Sequence, residues 1–131
     1  MIRRKFISVL TGGTALTFAA GLASRRLTSE YLQLYEGIVA GYPYHNGDKV
    51  ADHMIPGYMF QMQREPHNPH DHKAIALYCE NVKIGYVPRV DNDSLAALMD
   101  NGYTLRAICK KYDPHVNPWE AVTFKVEMEK V

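Results

Sequence analysis

The sequence predicts a small, mainly-β barrel of six short strands with one main α-helix. Three observations predict it. Short runs of alternating apolar and polar residues recur along the chain, Gly-, Pro- and Asn-rich turns separate them, and only one segment has helical periodicity. The length of 131 residues fits a single domain, and strands of this number in so short a chain are typical of barrels.

The first half of the predicted domain consists of strands separated by clear turn signals. A β-type run ends at residues 43–47, where Asn46-Gly47 indicates a turn. Residues 49–54 are expected to form one short helical turn, which Pro56-Gly57 ends. Two prolines with Asn68 and Asp71 then predict an ordered loop over residues 65–72. The predicted strands are residues 36–42, 58–64, 74–79, 83–87, 103–112 and 121–128.

The main helix is predicted over residues 91–101. Asp and Asn residues open it, and Leu95, Leu98 and Met99 share one face. Gly102 follows at the position where helices commonly end.

The first 26 residues are predicted to be a leader segment. Arg3 and Arg4 precede a run from Ser8 to Ala23 that carries no charge, and this pattern resembles a twin-arginine export signal. We therefore expect an exported protein, either periplasmic or anchored at the inner membrane by its leader, with a cytoplasmic location as the alternative. No transmembrane segment is expected beyond an uncleaved leader. Residues 27–35 are predicted to be a linker, and residues 36–129 the domain.

The charge of the predicted domain limits how it could bind nucleic acid. Without the leader, ten basic and 14 acidic residues give a formal charge of −4. Affinity for duplex DNA depends mainly on Lys and Arg that neutralise phosphates, so any nucleic-acid binding must use a few local contacts. Cys79 and Cys109 are the only cysteines. The sequence leaves two alternatives for them, a disulfide or two buried free thiols.

Two motifs carry a family resemblance. The first, at residues 65–75, reads Glu-Pro-His-Asn-Pro-His-Asp-His-Lys-Ala-Ile, and the second, at residues 84–89, reads Ile-Gly-Tyr-Val-Pro-Arg. The helix then ends in Asp100-Asn101-Gly102. Together these resemble the HIRAN domain over roughly residues 36–128. The resemblance implies an OB-like barrel that grips the 3′-hydroxyl end of single-stranded DNA, as a non-catalytic module without a cofactor.

Carried over by position, the resemblance implies a pocket for the DNA end. Rings stack on the terminal base, Asp71 accepts a hydrogen bond from the 3′-hydroxyl, and cations meet the last phosphate. The expected binding residues are Tyr44, His45, His70, Asp71, Lys73, Tyr86 and Arg89. The chain departs from the family at Pro43 and His70, where relatives place a basic residue and an aromatic. Trp119 is expected to cap the barrel.

Purely structural roles stay open at these positions. Asp71 could bond the backbone of its own turn, Tyr86 could be core, and Arg89 could pair with Asp91 or Asp93.

Two alternative functions also stay open. One is an exported module that binds an envelope protein with the same barrel. The other is a zinc-binding or hydrolase-associated accessory domain, with His67, His70 and His72 as weak candidate ligands. No nucleotide-binding loop, nucleophile elbow or H-E-x-x-H motif is present in the sequence, which makes an enzyme the less favoured interpretation.

Overall fold

The computed structural model describes residues 30–115 and 117–130. Six strands form one sheet in which every neighbouring pair is antiparallel. They are β1 (Tyr31–Ile38), β2 (Met59–Glu65), β3 (Ala74–Cys79), β4 (Val82–Tyr86), β5 (Leu105–Tyr112) and β6 (Val122–Glu129), in the spatial order β1-β6-β5-β2-β3-β4. The predicted mainly-β class and the six strands are confirmed.

The helical elements also follow the sequence pattern. The α-helix, α1, covers Asp93–Asp100, inside the predicted range of 91–101. The predicted helical turn at 49–54 is a 3₁₀ helix at Gly47–His53. Shorter 3₁₀ turns lie at Tyr42–Tyr44, Arg89–Asp91 and Pro118–Glu120.

The first strand begins earlier than predicted. Residues 31–35, expected to belong to the linker, pair with β6 from Tyr31 opposite Glu129 onward. The register shifts between Gln33 and Tyr35, where a β-bulge adds a residue to one strand. The bulge leaves both Leu34 and Tyr35 half-buried, which interrupts the alternation that would have marked a strand.

The sheet is open, so the predicted barrel is only approximate. Among the described residues, a single isolated bridge joins the two ends of the sheet, between Ala40, just after β1, and Tyr86 of β4. Its two backbone hydrogen bonds are 2.8 and 2.9 Å long. Gly85 makes this approach possible, because a Cβ there would lie 2.4 Å from the Ala40 oxygen.

The core lies on the inner face of the curved sheet. Its largest fully buried side chains include Phe60, Phe124, Ile75, Leu77 and Ile84, and Leu95 of α1 adds to the same cluster. The two cysteines, Cys79 and Cys109, are buried as free thiols.

The leader prediction concerns residues 1–26, which lie outside the described residues. Within residues 30–115 and 117–130, no helix is both long enough and apolar enough to cross a membrane.

Candidate functional site

A cavity of about 310 Å³ opens beside the Ala40–Tyr86 bridge. Its wall combines the segment after β1, the loop between β2 and β3, and the end of β4 with the turn that follows. The lining residues are Ala40, Gly41, Asn68, His70, Asp71, Ala74, Tyr86, Val87 and Arg89. Four of the seven residues predicted to bind nucleic acid therefore meet at one cavity, whose volume is at the lower end for ligand sites.

The amide of Asn68 holds the first part of the loop in place. Its Nδ2 donates to Glu65 Oε1 at 2.9 Å. Its Oδ1 accepts from the backbone N–H groups of His70 at 2.8 Å and Asp71 at 3.2 Å. These bonds follow from the short Asn-Pro turn, and they fix the backbone from which His70 and Asp71 project.

Arg64, at the end of β2, holds the second part of the loop. Its guanidinium donates to the carbonyls of Ala74 at 2.7 Å and His72 at 3.1 Å. It also makes a bidentate contact of 2.9 and 3.0 Å with Asp100 at the end of α1. Since both ends of the loop are tied to regular structure, the loop is a rigid wall of the cavity.

The carboxylate of Asp71 bridges the loop and the helix. Oδ1 accepts from the backbone N–H of Lys73 at 2.9 Å, and Oδ2 accepts from Asn92 Nδ2 at 2.8 Å. Partial burial alone would raise the pKa of Asp71, but these hydrogen bonds, with Arg89 nearby, hold it below its ordinary value of 3.8. The group is therefore ionised at neutral pH, and each oxygen keeps further capacity to accept.

Tyr86, in the cavity wall, belongs to a charged network. Its hydroxyl donates to Glu65 Oε1 at 2.8 Å and accepts from Lys83 Nζ at 2.9 Å. Lys83 also pairs with Glu65 Oε2 at 2.8 Å and lies 4.9 Å from the centre of the Tyr86 ring. The ring is half-buried, so packing and hydrogen bonds fix its position without removing it from the cavity wall.

His45 contacts this network from the 3₁₀ turn after β1. Its ring centre lies 5.9 Å from that of Tyr86. Burial lowers the pKa of His45 below its ordinary value of 6.5, and the charge of Lys83 acts in the same direction. The imidazole is thus neutral at pH 7 and offers a flat ring instead of a cation.

Arg89 is the cation at the cavity rim. It is exposed, and no hydrogen bond or ion pair to its guanidinium is found among the described residues. Its two expected partners bind elsewhere, because Asp91 accepts from the Tyr35 hydroxyl at 2.7 Å and Asp93 pairs with Lys73. The structure therefore leaves Arg89 available to a ligand, and engages Lys73 with Asp93.

The HIRAN domain profile matches residues 32–130, three quarters of the chain. The chain belongs to the HIRAN domain family. No curated protein matches the chain.

Three solved structures are similar to this chain. A crystal structure of a protein from Lactobacillus plantarum is 26% identical, with a TM-score of 0.67, covering 79% of this chain and all of that one. The crystal structure of the HIRAN domain of human HLTF is 23% identical, with a TM-score of 0.55, covering 76% and 77% of the two chains. The HLTF domain in its DNA-bound conformation is 22% identical, with a TM-score of 0.48, covering 82% and 81%.

Tyr44 is not part of the cavity wall in this HIRAN domain. Its ring is 75% exposed and contacts Trp119 instead, with ring centres 5.3 Å apart. Trp119, which was expected to cap the barrel, is itself 52% exposed.

His67, His70 and His72 are the weak candidate ligands for zinc. Among the described residues, no three His, Cys, Asp or Glu side chains are grouped as metal ligands. His72 Nδ1 lies 3.2 Å from the Pro66 carbonyl within its own loop, and His70 faces the cavity. The loop is a series of turns, since the backbone N–H groups of Asn68, Asp71 and Ala74 each donate to the carbonyl three residues before.

Asn92 is a site residue that the sequence analysis did not find. It is only 2% exposed, although its side chain is polar, and it joins α1 to Asp71. The sequence analysis placed residue 92 inside the predicted helix of residues 91–101, and no short-range pattern links residues 71 and 92.

Proposed function

We propose that this domain binds the free 3′-hydroxyl end of single-stranded DNA and performs no chemistry itself. The observation that carries the proposal is that His70, Asp71, Tyr86 and Arg89 meet at one cavity from separate segments. Membership of the HIRAN family supports it, because the motifs that carry the family resemblance are the ones that build this cavity.

Asp71 is the group that selects the end. An ionised carboxylate accepts a hydrogen bond from a 3′-hydroxyl but repels a terminal phosphate, which carries one to two negative charges. The bonds from Lys73 and Asn92 fix the orientation of the carboxylate, so the cost of orienting it is already met before the ligand arrives.

The remaining contacts are few and local. Tyr86 and the neutral His45 offer rings to the terminal base, and Arg89 can meet the last phosphate. One or two phosphate contacts suffice for an end, so the formal charge of −4 on residues 27–131 is compatible with binding. It also implies a shallow dependence of affinity on salt.

The test uses the full chain and 5′-fluorescein-labelled dT6 with either a 3′-hydroxyl or a 3′-phosphate, followed by fluorescence anisotropy. We expect at least about tenfold tighter binding of the hydroxyl end, since a charge-assisted hydrogen bond contributes roughly 1.5–3 kcal/mol. Asp71→Asn should remove most of this discrimination, while Asp48→Asn, an exposed carboxylate outside the cavity, should leave it unchanged.

Arg89→Ala provides an independent check on the phosphate contact. It should weaken binding of both oligonucleotides by a similar factor. Lys110→Ala, whose ammonium pairs with Glu36 outside the cavity, is the charge-matched control. Equal affinity for the two ends, or discrimination that survives in Asp71→Asn, would refute the proposed end recognition. Binding of neither oligonucleotide would favour the module that binds an envelope protein.

A further inference from the structure

Two aspartates follow closely on Arg89, the cation at the cavity rim, and each is held by another residue. Asp91 accepts from the Tyr35 hydroxyl at 2.7 Å, and Asp93 pairs with Lys73. Arg89 and both aspartates are exposed, so burial does not keep these opposite charges apart. The partners of the two aspartates therefore decide whether the guanidinium of Arg89 is available to a ligand.

Asp91 is the closer competitor for Arg89. Both residues belong to the 3₁₀ turn at Arg89–Asp91, and the backbone N–H of Asp91 donates to the Pro88 carbonyl at 2.9 Å. Because this bond closes the turn, the two charged side chains start from neighbouring backbone positions. An exposed ion pair between them would be weak, but it would place a carboxylate where the proposed function needs a phosphate.

Tyr35 reaches Asp91 from β1. Its ring packs against Phe124 of β6, with ring centres 5.8 Å apart. A Cβ at Gly37 would lie 2.2 Å from the Tyr35 hydroxyl oxygen, so the glycine leaves room for the hydroxyl on its way to Asp91. Burial raises the pKa of Tyr35 above its ordinary value of 10, and the hydrogen bond and charge of Asp91 act in the same direction. The hydroxyl is therefore a donor at neutral pH.

We infer that Tyr35 is a positioning residue for the phosphate contact: by holding the Asp91 carboxylate, it keeps Arg89 free for the phosphate of the DNA end. The inference rests on the proposed function, since it needs Arg89 to meet a phosphate. Tyr35 does not line the cavity and acts through Asp91. Without its hydroxyl, the carboxylate is released beside Arg89 and competes with the phosphate for the guanidinium.

Two substitutions break the same hydrogen bond with opposite consequences for the charge beside Arg89. Tyr35→Phe releases the Asp91 carboxylate, whereas Asp91→Ala removes it. The test uses the full chain, 5′-fluorescein-labelled 3′-hydroxyl dT6 and fluorescence anisotropy at low ionic strength, where exposed charges are screened least. Tyr35→Phe should weaken binding by roughly 2- to 5-fold, the range for an exposed ion pair. Asp91→Ala should bind at least as tightly as the wild type, and so should the double variant. A purely structural role of the bond predicts weaker binding in both single variants.

The dependence of affinity on salt gives a second measurement. Each phosphate that a protein cation neutralises on a single strand adds about 0.7 to the steepness of log affinity against log salt. In Tyr35→Phe the competing carboxylate weakens this neutralisation, so the slope should be shallower than in the wild type. In Asp91→Ala the slope should stay at least as steep.

Tyr58→Phe is the matched control. Tyr58 also donates to a carboxylate, that of Glu80, and its ring also packs against a phenylalanine, Phe60, with ring centres 6.0 Å apart. Neither Tyr58 nor Glu80 lines the cavity, so this substitution should leave the affinity unchanged. Urea denaturation checks that each variant is folded under the conditions of the binding experiment. Asp91→Ala is a separate test, since weaker binding by this variant overturns the inference whatever the behaviour of Tyr35→Phe.

The outcomes distinguish this inference from the proposed function. If Arg89→Ala weakens binding but Tyr35→Phe binds like the wild type, or Asp91→Ala binds more weakly, the role of Tyr35 is refuted and end binding stands. If Arg89→Ala itself binds like the wild type, the phosphate contact of the proposed function fails, and the role of Tyr35 fails with it.

Discussion

Replacement of Gly85 by alanine should break the contact that joins the two ends of the sheet. Gly85 has a φ of +150°, which L residues rarely adopt. A Cβ there would lie 2.4 Å from the Ala40 carbonyl oxygen and 2.5 Å from Val39 Cγ1. Val39 is fully buried, and Ala40 is fixed by its bridge to Tyr86, so neither neighbour can move away at low cost.

The expected loss of stability has three parts. A non-glycine residue in this backbone region costs about 1–3 kcal/mol. Overpacking against fixed neighbours adds about 1–3 kcal/mol. Breaking the two bridge hydrogen bonds, between the backbones of Ala40 and Tyr86, adds about 1 kcal/mol each. The total is roughly 4–8 kcal/mol, a large part of the stability of a domain of this size.

Gly57→Ala is the matched control. Gly57 also has a positive φ, of +94°, but a Cβ there would meet nothing within 4 Å. Only the backbone cost of about 1–2 kcal/mol applies. With an m value of about 1.5 kcal/mol/M, urea denaturation followed by circular dichroism should show a midpoint lowered by about 3–5 M for Gly85→Ala and about 1 M for Gly57→Ala. Equal shifts in the two variants would refute the role assigned to the bridge.

Three further predictions concern the loop and the core. Asn68→Ala should destabilise the domain by about 2–3 kcal/mol, because three hydrogen bonds are lost. Urea denaturation measures this loss of stability. The control Asn101→Ala loses one exposed hydrogen bond and should cost under about 1 kcal/mol. Desolvation opposes ionisation of Glu65, but hydrogen bonds from Lys83, Asn68 and Tyr86 lower its pKa below 4.5. A lowered pKa stabilises the fold above pH 4.5, and this stability is lost as the pH falls through the pKa of the folded protein. In Glu65→Gln the urea denaturation midpoint should therefore change less with pH below about pH 5 than in the wild type. An unchanged pH dependence of the midpoint would contradict the network. Burial raises the pKa of the Cys109 thiol to about 11, so Ellman's reagent at pH 8 should modify Cys109 only as the protein unfolds, and rapid native labelling would contradict its burial.

The fold was predictable wherever local pattern and tertiary pairing agree. Strands β2, β3 and β4 and the helix α1 lie within one or two residues of their predicted ends, because turn-forming residues such as Gly, Pro, Asn and Asp mark their limits. The start of β1 was not predictable, since the bulge at Gln33–Tyr35 interrupts the two-residue period. That the sheet stays open was also not predictable. Closure depends on how many backbone hydrogen bonds form between β4 and the segment after β1, and the sequence of neither segment alone determines that number.

The site was predictable in part, for a similar reason. His70, Asp71, Tyr86 and Arg89 were found because they lie in or next to the two motifs, and the structure brings them to one cavity. The contacts of Asp71 with Asn92, and of Tyr86 with Glu65 and Lys83, join distant or unremarkable positions. Local sequence patterns indicate which side chains are unusual, but they do not show which neighbours orient them.

In the proposed function, orientation of the site matters more than long-range attraction, because the domain carries a negative charge. With a formal charge of −4 over residues 27–131, long-range attraction does not draw DNA to the surface, so affinity must come from contacts that are already in position. Asn68, Arg64 and Asn92 supply that order, since each ties the loop or its carboxylate to a strand or helix. A rigid loop lowers the entropy lost on binding, and the same rigidity makes the site sensitive to substitutions that touch no ligand. Loss of Asn92 should therefore weaken end discrimination by freeing Asp71, although Asn92 lies behind the carboxylate and is itself buried.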